Sequence, residues 1–106
     1  MIGSRFTVAV SLLLGHLVIA PVSASTMAAL RPQALQCLQA GQLAACRSAL
    51  LLAETLQRRA SALNAFPCQT LLLGVQADLI MQQLDAGRGE QAIADLSAAA
   101  RGCAGL

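Results

Sequence analysis

The sequence predicts an all-α protein, and three observations carry the prediction. Apolar residues recur at spacings of three and four, the period of a helix face rather than of a strand. Ala and Leu dominate, with 19 and 16 copies from residue 25 onward, and both favour helix. Prolines and glycines then divide the chain into segments of helical length, without the short alternating runs of a sheet protein.

The first segment has a different polarity from the rest. Met1 to Arg5 is short and basic, Phe6 to Ile19 (FTVAVSLLLGHLVI) is apolar, Pro21 interrupts it, and Val22-Ser23-Ala24 supplies small residues at a cleavage position. That order of parts predicts a secretory signal peptide over residues 1–24. The apolar run of 14 residues is shorter than the roughly 20 that span a bilayer, so a cleaved leader is expected rather than an anchor. Cleavage leaves 106 − 24 = 82 residues, secreted or periplasmic, in a compartment where cysteines pair.

Residues 25–106 are expected to form a single helical domain. Pro32 suits the first turn of a short helix that Gly41 ends. A long helix runs to about Leu63, with Leu43, Cys46, Leu50, Ala53, Leu56, Ala60 and Leu63 on one side and Arg47, Glu54, Arg58 and Ser61 on the other. Asn64-Ala65-Phe66-Pro67 breaks it, and Pro67 opens a third helix that closes at Gly87-Arg88-Gly89. The second stripe is Cys68, Leu72, Val75 and Leu79, broadened by Leu73, Ala77, Ile80 and Leu84. A fourth helix, about Glu90 to Arg101, presents Ala92 or Ile93, Leu96, and Ala99 or Ala100, then Cys103. Short connections at 41 and 87 join antiparallel neighbours. The expected architecture is two antiparallel helical hairpins, about 32–63 and about 67–103, forming a small four-helix domain.

Four cysteines, Cys37, Cys46, Cys68 and Cys103, allow three pairings. At 1.5 Å per residue, Cys37 and Cys46 lie about 6 to 8 Å from the turn at Gly41, and Cys68 and Cys103 about 28 and 24 Å from Gly87. Each pair is level across its own hairpin, so Cys37–Cys46 and Cys68–Cys103 are predicted. Loop-closure entropy assigns about 2.7 and 3.8 kcal/mol to these bridges. Such staples suit a small domain with no Trp or Tyr and a thin aliphatic core. The spacings fit neither a Cys-x-x-Cys redox motif nor the close thiolate pairs of a zinc site, so no metal site is expected.

Residues beyond 24 include no His, Lys, Tyr or Trp, which removes the commonest general base, the Schiff-base amine and the phenol acid. Six arginines face five acids, a net charge of +1, and Arg58-Arg59 is the only adjacent basic pair. Without a basic stripe or stacking aromatics, nucleic acid is excluded as a partner. Asp78 and Asp85, seven apart on the third helix, are the best candidate for a catalytic carboxylate pair. They lack an aromatic sugar platform, and solvated surface acids are the expected outcome. No enzyme activity, no catalytic residue and no cofactor are predicted.

Leu38-Gln39-Ala40-Gly41 and Leu84-Asp85-Ala86-Gly87 align at a separation of 46 residues, and the register continues through Cys46 with Ala92, Leu50 with Leu96, and Ala53 with Ala99. Over Gly41–Ala53 and Gly87–Ala99 the chain resembles the turn and second helix of tetratricopeptide-type repeats, and Leu73-Gly74 is similar to their first-helix Leu-Gly pair. The resemblance implies a protein-binding scaffold without catalytic residues. The expected function is therefore a small exported, non-catalytic interaction module, with an unknown partner protein or self-association. Leu51, Leu52, Leu71 and Met81, lying outside a narrow stripe, either serve that binding or fill the seam between hairpins. The alternative is a carrier, in which small alanines facing large leucines leave room for an apolar ligand or lipid.

Overall fold

Thr26 starts the first helix well before Pro32. In the computed structural model, which describes residues 25–106, Thr26 is extended and its Oγ1 accepts from the Ala29 N–H at 3.1 Å, a side-chain cap of the usual kind. Helix α1 is Met27–Ala40, and Pro32 lies inside it rather than opening it. There the proline forgoes one backbone bond, on an exposed turn of the helix. Three further helices follow: α2 (Leu43–Ala62), α3 (Phe66–Gln83) and α4 (Glu90–Gly102). Among the described residues there is no strand. The predicted leader, residues 1–24, lies outside the described residues.

The helix ends show why the segments stop where they do. Gly41 closes α1 in the left-handed region (φ 65°), with its N–H bonded to the Cys37 carbonyl at 3.0 Å. Helices α2 and α3 end in Schellman motifs built on non-glycine residues. Asn64 (φ 56°) and Asp85 (φ 57°) take the left-handed position. The following N–H groups of Ala65 and Ala86 reach back to the carbonyls of Ala60 and Met81, at 2.8 and 2.9 Å. The register that aligns Gly41 with Gly87 therefore does not extend to the turns. Asp85, not Gly87, makes the second reversal, and residues 84–89 form a longer connection than Gly41-Gln42.

Helices α1 and α3 touch each other and both remaining helices, whereas α2 and α4 flank them and do not meet. The most extensive interface joins α2 to α3, so the two hairpins share one core. Leu30, Leu56, Leu72, Leu79, Leu96 and Val75 fill it, and the fully buried Ala34, Ala49, Ala53, Ala60 and Ala99 let the helices approach closely. Cys68, Leu72, Val75 and Leu79 of α3 are buried as expected, and so are Ala92, Leu96, Ala99 and Cys103 at α4. In α2 the buried line is Cys46, Ala49, Ala53, Leu56 and Ala60, with Leu50 half-buried; Leu43 and Leu63 sit at the helix ends and are exposed.

Both predicted disulfides form, Cys37–Cys46 and Cys68–Cys103, with Cα–Cα separations of 4.5 and 4.9 Å. The first clamps the α1–α2 turn. The second joins the start of α3 to the residue closing α4, at the opposite end of the bundle. No helix among the described residues is long and apolar enough to cross a membrane.

Candidate functional site

Helix α3 organises the two features that the fold leaves chemically unfinished. The helix and the three residues after it run through three heptads, Phe66-Pro-Cys-Gln-Thr-Leu-Leu72, Leu73-Gly-Val-Gln-Ala-Asp-Leu79 and Ile80-Met-Gln-Gln-Leu-Asp-Ala86, with Leu84 as the C-cap. Side chains seven apart return to nearly the same direction. One side of the helix, Cys68, Leu72, Val75 and Leu79, enters the core. The other side carries Phe66, Thr70, Leu73, Ala77, Ile80 and Leu84, spaced alternately by four and three residues. Its large members stand 56% (Phe66), 48% (Leu73), 45% (Ile80) and 71% (Leu84) exposed. Thr70 turns its hydroxyl back onto the Phe66 carbonyl at 3.0 Å. Leu73, Ala77, Ile80 and Leu84, expected to broaden the buried stripe, instead form an outer one. The core of a four-helix bundle covers only part of α3, which is apolar on nearly every side.

The second feature is Asp78, the one charged residue of α3 and fully buried on the side facing α4. Arg88, in the α3–α4 connection, bridges two carboxylates through Nη1, reaching Asp78 Oδ1 and Asp95 Oδ2 at 3.2 Å each. Gln91 Nε2 donates to Asp95 Oδ1 at 3.0 Å. Asp78 Oδ2 is buried without a partner. Burial, followed by the hydrogen bond to Asp95 and its negative charge, raises the Asp78 carboxyl from 3.8 to about 6 against the opposing pull of Arg88. Asp95 is lowered, first by its hydrogen bond with Asp78, then by Gln91 and Arg88, against its own partial burial. Arg88 thereby ties the long connection to both helices.

This placement corrects the sequence reading in two respects. Asp78 is not a solvated surface acid, and Asp85 is not on its face of the third helix: Asp85 lies beyond the helix end, in the left-handed turn, exposed. The pair does not converge. Among the surplus apolar residues, Leu52 and Leu71 pack half-buried against the core, Met81 is half-buried, and Leu51 is exposed. Cys37, Cys46, Cys68 and Cys103 are all consumed by the two bridges. Among the described residues no group of three or more His, Cys, Asp or Glu comes together. The sequence reading merged the outer stripe of α3 with the buried one, although its four-and-three spacing marks a separate face; the proximity of Asp78 to Asp95 left no such signal, because it depends on how α4 packs. Compared with known proteins, the chain matches no family model, no curated protein and no solved structure.

Proposed function

We propose that this chain is an exported, non-catalytic interaction module whose binding surface is the outer face of α3. The observation that carries the reading is the set of four large apolar side chains, Phe66, Leu73, Ile80 and Leu84, left substantially exposed in heptad order along α3 and its C-cap. Monomers rarely leave large apolar side chains clustered on one face unless the face serves association, and a helix presenting such a stripe docks against another apolar helix or groove. The secreted or periplasmic address is supported by the leader sequence and by the two disulfides. The fully buried alanines favour this reading over an apolar-ligand carrier, because they draw the helices together and fill the interior.

The test is site-specific photocrosslinking in cells that export the chain. A benzophenone amino acid at Leu73 or Ile80 is expected to give discrete, protein-sized mass shifts, and the same probe at exposed Gln91 none. Exported protein without a shift at either α3 position overturns the proposal.

A further inference from the structure

Three features of α3 bear on what its outer face could hold. From Phe66 to Leu84 the only ionisable residue is Asp78, and it is buried on another side. The stripe is flanked on one edge by Gln69, Gln76 and Gln83, and on the other by Pro67, Gly74 and Met81, all uncharged. Flanking charges are what set partner choice between helices docked by heptads; a face without them repels no second copy of itself.

The order of sizes is also self-complementary. When two copies of α3 cross antiparallel about a two-fold axis level with Val75, residues whose numbers sum to 150 (2 × 75) lie opposite each other. Phe66 then meets Leu84 of the second copy, Thr70 meets Ile80, and Leu73 meets Ala77, each pairing occurring twice. Bulky residues face smaller ones at the centre, where the helices come nearest. A parallel pairing would instead stack Phe66 on Phe66 and Ala77 on Ala77.

Gly74 is the third observation. Glycine inside a helix costs about 1 kcal/mol relative to alanine, yet a Cβ at residue 74 would meet nothing within 4 Å. The monomer has no steric need for this glycine. In the antiparallel arrangement, Gly74 of each copy lies on the same edge beside the axis, where a missing Cβ allows close approach of the two backbones.

We propose that the outer face of α3 holds a second copy of this chain, docked antiparallel across Leu73, Gly74 and Ala77. The inference rests on the binding face proposed above and names its occupant. The contact runs along roughly 27 Å of helix, at the small end of specific interfaces, so the dimer is a weak one that forms at micromolar concentrations and above.

Sedimentation equilibrium on the unreduced chain tests it. The expected result is a concentration-dependent rise to twice the monomer mass. Phe66→Lys and Leu84→Glu are each expected to weaken association by about tenfold or more, and the double variant, which sets Lys opposite Glu only in the antiparallel register, to recover most of the loss. Gly74→Ala is expected to weaken the dimer while raising monomer stability. A wild-type chain that stays monomeric at hundreds of micromolar, or a double variant weaker than either single one, overturns the proposal. Crosslinks from Leu73 in exporting cells separate the two claims: bands at twice the chain's mass support both, bands with other proteins alone remove the second copy and leave the binding face, and no bands remove both.

Discussion

Leu72 and Leu73 are neighbours of identical chemistry on one helix, and they have opposite fates. Leu72 is wholly buried in the core, while Leu73 stands 48% exposed on the far side. The difference runs the length of α3: Cys68, Val75 and Leu79 share the side of Leu72, and Phe66, Ile80 and Leu84 that of Leu73. Helix α4 shows no such division, since its large apolar residues, Ile93 and Leu96, lie on the side of its buried alanines and none is left exposed. The fold needs one apolar side from each helix, and α3 carries two. Hydropathy alone does not say which is surplus; packing geometry does.

Breaking the inner side should have the largest effects. Replacing Cys68 and Cys103 together by Ala is expected to cost about 4 kcal/mol in urea unfolding, against about 3 for the Cys37 and Cys46 pair, because the second bridge closes the longer loop. Equal losses would show that loop closure is not how these bridges act. Leu72→Ala is expected to cost about 3 kcal/mol, whereas Leu73→Ala should stay within about 0.5 kcal/mol at dilute concentration.

The Asp78 cluster lies between the two sides and gives a dependence on pH. Asp78 titrates at about 6 in the folded chain against 3.8 as the reference value, so the folded state holds an extra proton between these values. The stability from that proton is complete below about pH 4 and is lost as pH rises through 6. The depressed Asp95 acts in the opposite sense, contributing above the ordinary carboxylate range and losing its contribution as pH falls through its lowered value. Melting temperature should therefore fall between pH 4 and 6.5. Asp78→Asn, which can still accept from Arg88, should flatten that profile and raise stability at pH 7 by on the order of 2 kcal/mol; an unchanged profile would remove Asp78 as its source.

The smallest effect is the most discriminating. Gly74→Ala should stabilise the dilute monomer by about 0.5–1 kcal/mol, seen as a rise in melting temperature. A loss instead would mean that the glycine serves the monomer fold.

Much of this was readable from residue spacing. Four helices, the breaks at Gly41 and Asn64, and both disulfides follow from periodicity, turn chemistry and the distance of each cysteine from its turn. Three things did not. Thr26 moved the start of α1 ahead of Pro32, because a side-chain cap outweighed the preference of proline for a first turn. Asp85 took the left-handed position that Gly87 suggested, because Asp tolerates it and the helix ended two residues early. Asp78 is buried because α4 places Asp95, and the turn places Arg88, beside it; that convergence is tertiary and leaves no local mark in the sequence.

The most direct test is urea unfolding of the wild-type chain and of Leu73→Glu/Ile80→Glu, each at a dilute and a concentrated condition. If the outer side of α3 is outside the fold and available for association, the two proteins unfold alike when dilute, and the wild type alone gains stability when concentrated. A variant that is strongly destabilised at both concentrations would contradict the account, for it would place Leu73 and Ile80 in the core that holds the monomer together.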